Sequence, residues 1–367
     1  MKVLLVQGSS AGGVGRHVAS LARDLRRAGH EVVVAGPAAA QGDFGIDSTG
    51  ALFEAVEIRD RPDPRADLAS VRRLRALAAE SDVVHAHGLR AGGLVALALR
   101  PVLLAGRTAR VRFVVTLHNA PVGSGLVAAV TRVLERLVAG RADVVLGVSG
   151  DLVRRMQRRG AAVTARALVP APAGADPRRG REQVRAEFGL HDGVWMLVTV
   201  ARLAPQKGLP LLLDAVAELT RSRPDLSVLA VVAGDGPLNA QLTGRVEAEA
   251  LPVRLLGRRS DPADLFAAAD VAICPSVWEG QPLVVQEALR LGVPLVATDV
   301  GGTSEVTGDA AVLVAYGDPT ALAHAVAALL DDPERRAALS RAGRERAGAL
   351  PTDADALRQL LGYYAPS

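Results

Sequence analysis

Lysine is nearly missing from this chain: of 43 basic residues only Lys2 and Lys207 are lysine. An arginine here therefore says little about a need for a guanidinium, whereas a retained lysine says something about a need for a compact ammonium. Cysteine is reduced to Cys274, which excludes an internal disulfide and a thiolate metal cluster and fits a reducing compartment. Aromatic residues are 3% of the chain, too few for stacking platforms along single-stranded nucleic acid or a polysaccharide. No apolar run reaches the ~18 residues that span a bilayer; the longest, Leu94 to Leu104, is broken by Arg100 and Pro101. The N-terminus meets a glycine loop too soon for a signal peptide. These absences predict a cytoplasmic protein with no nucleic-acid partner.

What is present is apolar and long. The 367 residues are 49% hydrophobic and 22% charged, which excludes disorder and, at roughly 150 residues per domain, leaves room for two domains. Charge is uneven. Up to Gly180 there are 26 Arg/Lys against 15 Asp/Glu, and 17 against 24 thereafter, so +11 and −7 sum to the net +4. That asymmetry fits an N-terminal half that meets an anionic surface or acceptor, and equally a set of solvated faces in an arginine-rich chain.

Short β-branched runs alternate with amphipathic stretches, as in a parallel sheet with crossover helices. Strands are expected at Lys2 to Val6, Glu31 to Ala35, Asp82 to His85, Val111 to Leu117 and Asp143 to Val148. One crossover helix places Val127, Val130, Val133, Leu134, Leu137 and Val138 on its inner side and Arg132, Glu135 and Arg136 outside. A Pro/Ala/Gly-rich linker, Pro170 to Pro177, follows. The rhythm then restarts with Trp195 to Val200, Leu226 to Ala233, Val253 to Leu256, Asp270 to Cys274, Pro294 to Thr298 and Ala311 to Val314. The fold class expected is α/β, with two doubly wound Rossmann-like domains facing across a cleft. Their binding crevices lie at the carboxyl ends of the strands.

The polar residues at those ends are the candidates. After the first strand, Gly8-Ser-Ser-Ala-Gly12-Gly13-Val-Gly15 opens a helix, and backbone amides of such a loop can approach an anion. A dinucleotide fingerprint fits poorly, because Val18 stands where its third glycine belongs and no ribose-binding acid ends the second strand. Arg202 and Lys207 follow a strand and together could neutralise a diphosphate. Glu279, in a loop, and Glu287, within the helix after Pro282, can address one crevice, where carboxylates accept bonds from sugar hydroxyls. His118 ends one strand, while His85 and His87 end another and are open to either a structural or a functional reading. No metal site is expected, since the paired histidines lack further ligands nearby in sequence.

Taken together, these stretches resemble a retaining glycosyltransferase of the GT-B fold, specifically glycosyltransferase family 4. The stretches that carry the likeness are Gly12-Gly13-Val-Gly15-Arg16, Thr116-Leu-His118, Ala201-Arg202 through Lys207-Gly208, Ala233-Gly234-Asp-Gly236-Pro237, Glu279 through Glu287-Ala288, and Gly301 through Glu305. The resemblance implies an acceptor-binding domain over 1–170, with residues 351–367 packing back on it, and a donor-binding domain over 171–350. It implies a nucleoside-diphosphate sugar as donor, a hydroxyl acceptor, retention, no metal and no other cofactor. In it Arg202 and Lys207 hold the diphosphate, Glu279 meets the transferred sugar and Glu287 the ribose. Gly12, Gly13, Gly234 and the amides of Leu283 and Val284 line the donor, and His118 lies beside the reacting centre. Gln281-Pro282 departs from the family's frequent Phe-Gly. Similarity to membrane-associated members adds an anionic membrane surface or polyprenyl phosphate, met by a stripe of Arg154, Arg155, Arg158 and Arg159 on one helix. The other readings are a noncatalytic nucleotide-sugar-binding protein and a GT-B epimerase or phosphorylase.

Overall fold

The computed structural model describes residues 1–8, 13–59, 62–99, 110–120, 125–171 and 176–365. Gly12 and residues 172–175 of the expected linker lie outside them. The chain divides into two compact units, Met1–Pro170 with Pro351–Ser367, and Ala171–Leu350.

The first unit holds seven parallel strands: β1 (Lys2–Gln7), β2 (Glu31–Gly36), β3 (Leu52–Ala55), β4 (Val83–His87), β5 (Arg112–Leu117), β6 (Val144–Gly147) and β7 (Thr164–Arg166). Their order is β3-β2-β1-β4-β5-β6-β7. Successive strands run outward from β1 on one side and from β4 on the other, so the switch point lies between these two, where a doubly wound sheet opens a crevice. Central strands such as β1 and β4 are buried along nearly their whole length, as sheets covered on both faces must be.

The second unit repeats the plan with β8 (Val194–Val200), β9 (Ser227–Ala233), β10 (Val253–Leu255), β11 (Val271–Cys274), β12 (Leu295–Thr298) and β13 (Val312–Val314), in the order β10-β9-β8-β11-β12-β13. Its switch point lies between β8 and β11. Side-chain alternation along β8 divides its residues between two cores. Leu197 packs with Leu212 and Leu322 from the helices Leu209–Ser222 and Pro319–Asp331. Met196 and Val198 pack with Phe266 and Val285 from the helices Pro262–Ala268 and Leu283–Leu291. This is the doubly wound α/β architecture read from the alternation of strands and helices, found twice.

Two readings need correction. The strands β3 and β7 were not anticipated from the pattern; both are short sheet edges, and β3 leaves Leu52 71% exposed. In the helix Gly125–Ala139, Val127 and Val133 face outward while Glu135 is buried. The reason is electrostatic: Arg155 and Arg159 both pair with the Glu135 carboxylate, the latter at 2.7 Å, and a carboxylate so paired can be buried. Pro282 is the N-cap residue of the helix Leu283–Leu291.

The helix Asp353–Tyr364 belongs to the first unit. A capping box of Thr352 and Asp355 starts it. Gln359 then bonds the backbone on both sides of β7's end, accepting from Leu168 N at 3.1 Å and donating to Arg166 O at 2.9 Å. Its last residue, Tyr364, is buried and reaches beneath β4.

Candidate functional site

In the second unit the loops after β8 and β11 meet at the switch point. A short 3-10 turn, Pro205–Lys207, follows β8, and Gly208 ends it in the left-handed region at φ 63°. A Cβ on Gly208 would lie 1.9 Å from the Pro275 carbonyl oxygen, so only glycine lets the two loops touch there. The contact is fastened by Val277 N donating to Gln206 O at 2.8 Å and Gln206 Nε2 to Trp278 O at 2.9 Å. It carries Lys207 to Glu279, with Nζ 2.6 Å from Oε1. Ser276 Oγ donates to the same oxygen at 2.6 Å, and Thr298 Oγ1 at the end of β12 holds the Ser276 carbonyl at 2.6 Å. Gly302 N donates to Glu279 O at 2.9 Å.

Glu279 is 5% exposed, and a buried carboxylate persists only when charge and hydrogen bonds compensate its lost hydration. Burial works against the Lys207 ammonium, but the Glu279 charge, with Cys274 and the hydrogen bond to Glu279, outweighs it and raises its pKa. Burial, then the Glu279 charge, pushes the Cys274 thiol up to about 11 against the opposing pull of Lys207. Cys274 is thus a protonated wall of the site and no nucleophile. The pocket is lined by Thr199, Lys207, Cys274, Ser276, Glu279 and Val284, among others.

Of the residues singled out from sequence, this pocket gathers Lys207, Glu279 and Val284. Leu283 and Val284 head a nine-residue helix, where first-turn amides have no carbonyl of their own helix to bond. Glu287 sits half-buried in that helix. Arg202 is exposed and has no carboxylate partner among the described residues. Gly234, at φ 149°, brings the end of β9 against β8, where a Cβ would lie 1.8 Å from Ala201 O.

The first unit gathers histidines at its own switch point. His85 and His87 project from β4, His118 follows β5 and His17 lies in the helix Gly13–Arg27. His85 is held on both sides, Nδ1 by Tyr364 Oη and Nε2 by Thr116 Oγ1, each at 2.7 Å. Its ring lies 4.2 Å from that of His87, whose Nδ1 is 3.0 Å from His118 Nε2. His17 closes the group, with ring centroids 5.7 Å from His87 and 5.6 Å from His118. Burial lowers all four, His17 to about 4 and His85 to about 3, the latter with help from the charge of His17. His87 and His118 fall well below the ordinary value, by burial first and by neighbouring imidazoles second.

The expectation that the paired histidines stand alone is therefore corrected, because the fold brings two more to them from distant sequence. Among the described residues, however, no three His, Cys, Asp or Glu side chains are arranged to hold a metal ion. His17 was missed, although a signal existed: it stands four and eight residues before the buried Leu21 and Leu25, on the inward stripe of its helix. The arginine stripe is also corrected. Arg155 and Arg159 are committed to Glu135, and only Arg154 and Arg158 are exposed. Gly13 begins its helix; Gly12 lies outside the described residues. No described helix is long and apolar enough to cross a membrane.

Comparisons with known proteins agree with this layout. Residues 12–174 match the model of a glycosyl transferase 4-like domain, and residues 180–346 that of glycosyl transferases group 1. The chain is 34% identical over 179 residues to the lipopolysaccharide core biosynthesis mannosyltransferase LpsB of Rhizobium meliloti, covering 46% of this chain and 51% of that protein. It is 32% identical over 200 residues to the alpha-D-kanosaminyltransferase of Streptomyces kanamyceticus, covering 52% of this chain and 50% of that one. The chain thus spans about half the length of these relatives. In fold it is similar to Anabaena HepE, solved in complex with UDP-glucose, with a TM-score of 0.80, 22% identity and coverage of 99% and 98% of the two chains. It is also similar to WaaG, a glycosyltransferase involved in lipopolysaccharide biosynthesis, at a TM-score of 0.72, 16% identity and 98% coverage of each chain.

Proposed function

The chain belongs to the GT-B glycosyltransferases of the family 4 type, its two halves matching that family's two domain models in order, and from that premise we propose that it transfers a sugar from a nucleoside-diphosphate donor to a hydroxyl acceptor. The observation that carries the proposal is the contact of Lys207 with Glu279, 2.6 Å apart at the switch point of the second sheet. Such a point is where an α/β sheet binds its ligand. An ammonium beside a buried carboxylate offers the two things a donor requires: positive charge for the diphosphate and an acceptor for sugar hydroxyls.

In this reading the exposed Arg202 joins Lys207 against the diphosphate, and the amides of Leu283 and Val284 add the positive end of their helix. Both donors to Glu279 converge on Oε1, which leaves Oε2 for a sugar hydroxyl. Glu287 takes the ribose, Gly234 lets the β9 loop lie close to the donor, and His118 addresses the reacting centre. Transfer proceeds with retention and without a metal. Fixed cations would stabilise the leaving nucleoside diphosphate, whose oxygen takes the acceptor's proton as the new glycosidic bond forms.

Product analysis over a panel of nucleotide sugars and hydroxyl acceptors, with the anomer read by NMR and a chelator present, tests this. A retained anomer is expected from wild type, with turnover reduced about 10²-fold or more in Lys207→Ala and Glu279→Gln. Donor binding with no transfer to any acceptor would favour a binding protein instead.

A further inference from the structure

The contact of His87 with His118 contains one hydrogen and two nitrogens, Nδ1 of His87 and Nε2 of His118, 3.0 Å apart. Burial keeps both rings neutral, so each carries one proton and one ring must donate to the other. Were His118 the donor, the proton of His87 would stand on its Nε2. That atom is buried and has no hydrogen-bond partner among the described residues, so an orphan N–H would bear the full desolvation penalty. Were His87 the donor through Nδ1, its Nε2 would be a bare lone pair. Native interiors leave acceptors unfilled more readily than N–H groups.

We propose that His87 is a positioning residue that holds His118 in the tautomer protonated on Nδ1, so that His118 presents an N–H to a substrate oxygen and not a basic lone pair. The ring of His87 is fixed from behind by His85, itself tied to Thr116 and to Tyr364 of the C-terminal helix. Its donor nitrogen is thereby aimed. His118 then serves as a hydrogen-bond donor to a hydroxyl or phosphate oxygen, and the acceptor's proton must leave by another route. This rests on the reading that places His118 beside the reacting centre.

Two near-isosteric replacements separate a tautomer lock from simple packing. Asparagine at 87 can still donate to His118 Nε2, whereas aspartate can only accept from it. Two-bond proton–nitrogen NMR of the full-length 15N-labelled protein, with His118→Asn used for assignment, reads the ring directly and needs no substrate. The expected result is a pyrrole-type Nδ1 and a pyridine-type Nε2 for His118 in wild type and in His87→Asn, and the reverse in His87→Asp. Turnover should fall about 10²-fold in His87→Asp and be rescued by His87→Asn. A protonated Nε2 in the wild type, or one tautomer common to the asparagine and aspartate variants, would overturn the proposal whatever the activity.

Discussion

Histidines 17, 85, 87 and 118 are held neutral by burial in the first unit, whereas in an unfolded chain each takes up a proton near pH 6.5. Their folded values are depressed, so the unfolded state binds more protons below that pH. Stability is then complete above about pH 6.5 and declines as pH falls toward about 4 for His17 and about 3 for His85. Each imidazole still neutral costs about 1.4 kcal/mol per pH unit over that range. Urea unfolding followed from about pH 7 to about pH 5 should show a falling midpoint at constant m-value; a midpoint that does not move would mean the rings are already solvated. At this scale the sequence was informative where composition biased against a residue, as at Lys207, or where a strand ended, as at His118. The group of four was not legible, because it is assembled by pairing β1, β4 and β5 and by the helix after β1, and its members lie up to 101 positions apart. Nor was Glu135, since an acidic residue on a helix reads as solvent-facing until its partners on the next helix are known.

Elements with a strong period or a β-branched apolar core were readable, and those without one were not. The eleven expected strands recur, the three-residue edges β10 and β13 among them, while β3 (Leu-Phe-Glu-Ala) and β7 (Thr-Ala-Arg) escaped because neither carries a Val or Ile to mark it as a strand. The loop of Ala201 to Gly208 was legible as a strand-end loop, but its closeness to Pro275 was not, since that depends on Gly208 in the left-handed region. Replacing Gly208 by alanine sets a Cβ against a carbonyl and forces an unfavourable backbone, which should cost more than about 1 kcal/mol. It should also draw Lys207 away from Glu279, so thermal unfolding and donor affinity should weaken together. Unchanged donor affinity in a folded Gly208→Ala protein would show that the loop contact does not set the site.

For the molecule as a whole, two sheets of the same design carry different chemistry at their switch points. One presents neutral imidazoles at the ends of β4 and β5; the other presents an ammonium and a carboxylate at the ends of β8 and β11. The duplication was legible from the rhythm of apolar runs, and the division of labour from which polar residues ended them. The central claim is that fixed cations of the second unit hold a nucleoside diphosphate without a divalent ion. Calorimetric titration of UDP and GDP into the full-length protein in chelator, beside Lys207→Ala, tests it most directly. The account predicts binding of at least one nucleotide that survives chelation and weakens by about tenfold or more in Lys207→Ala. Binding that requires an added divalent ion, or that is equally tight in Lys207→Ala, would contradict it.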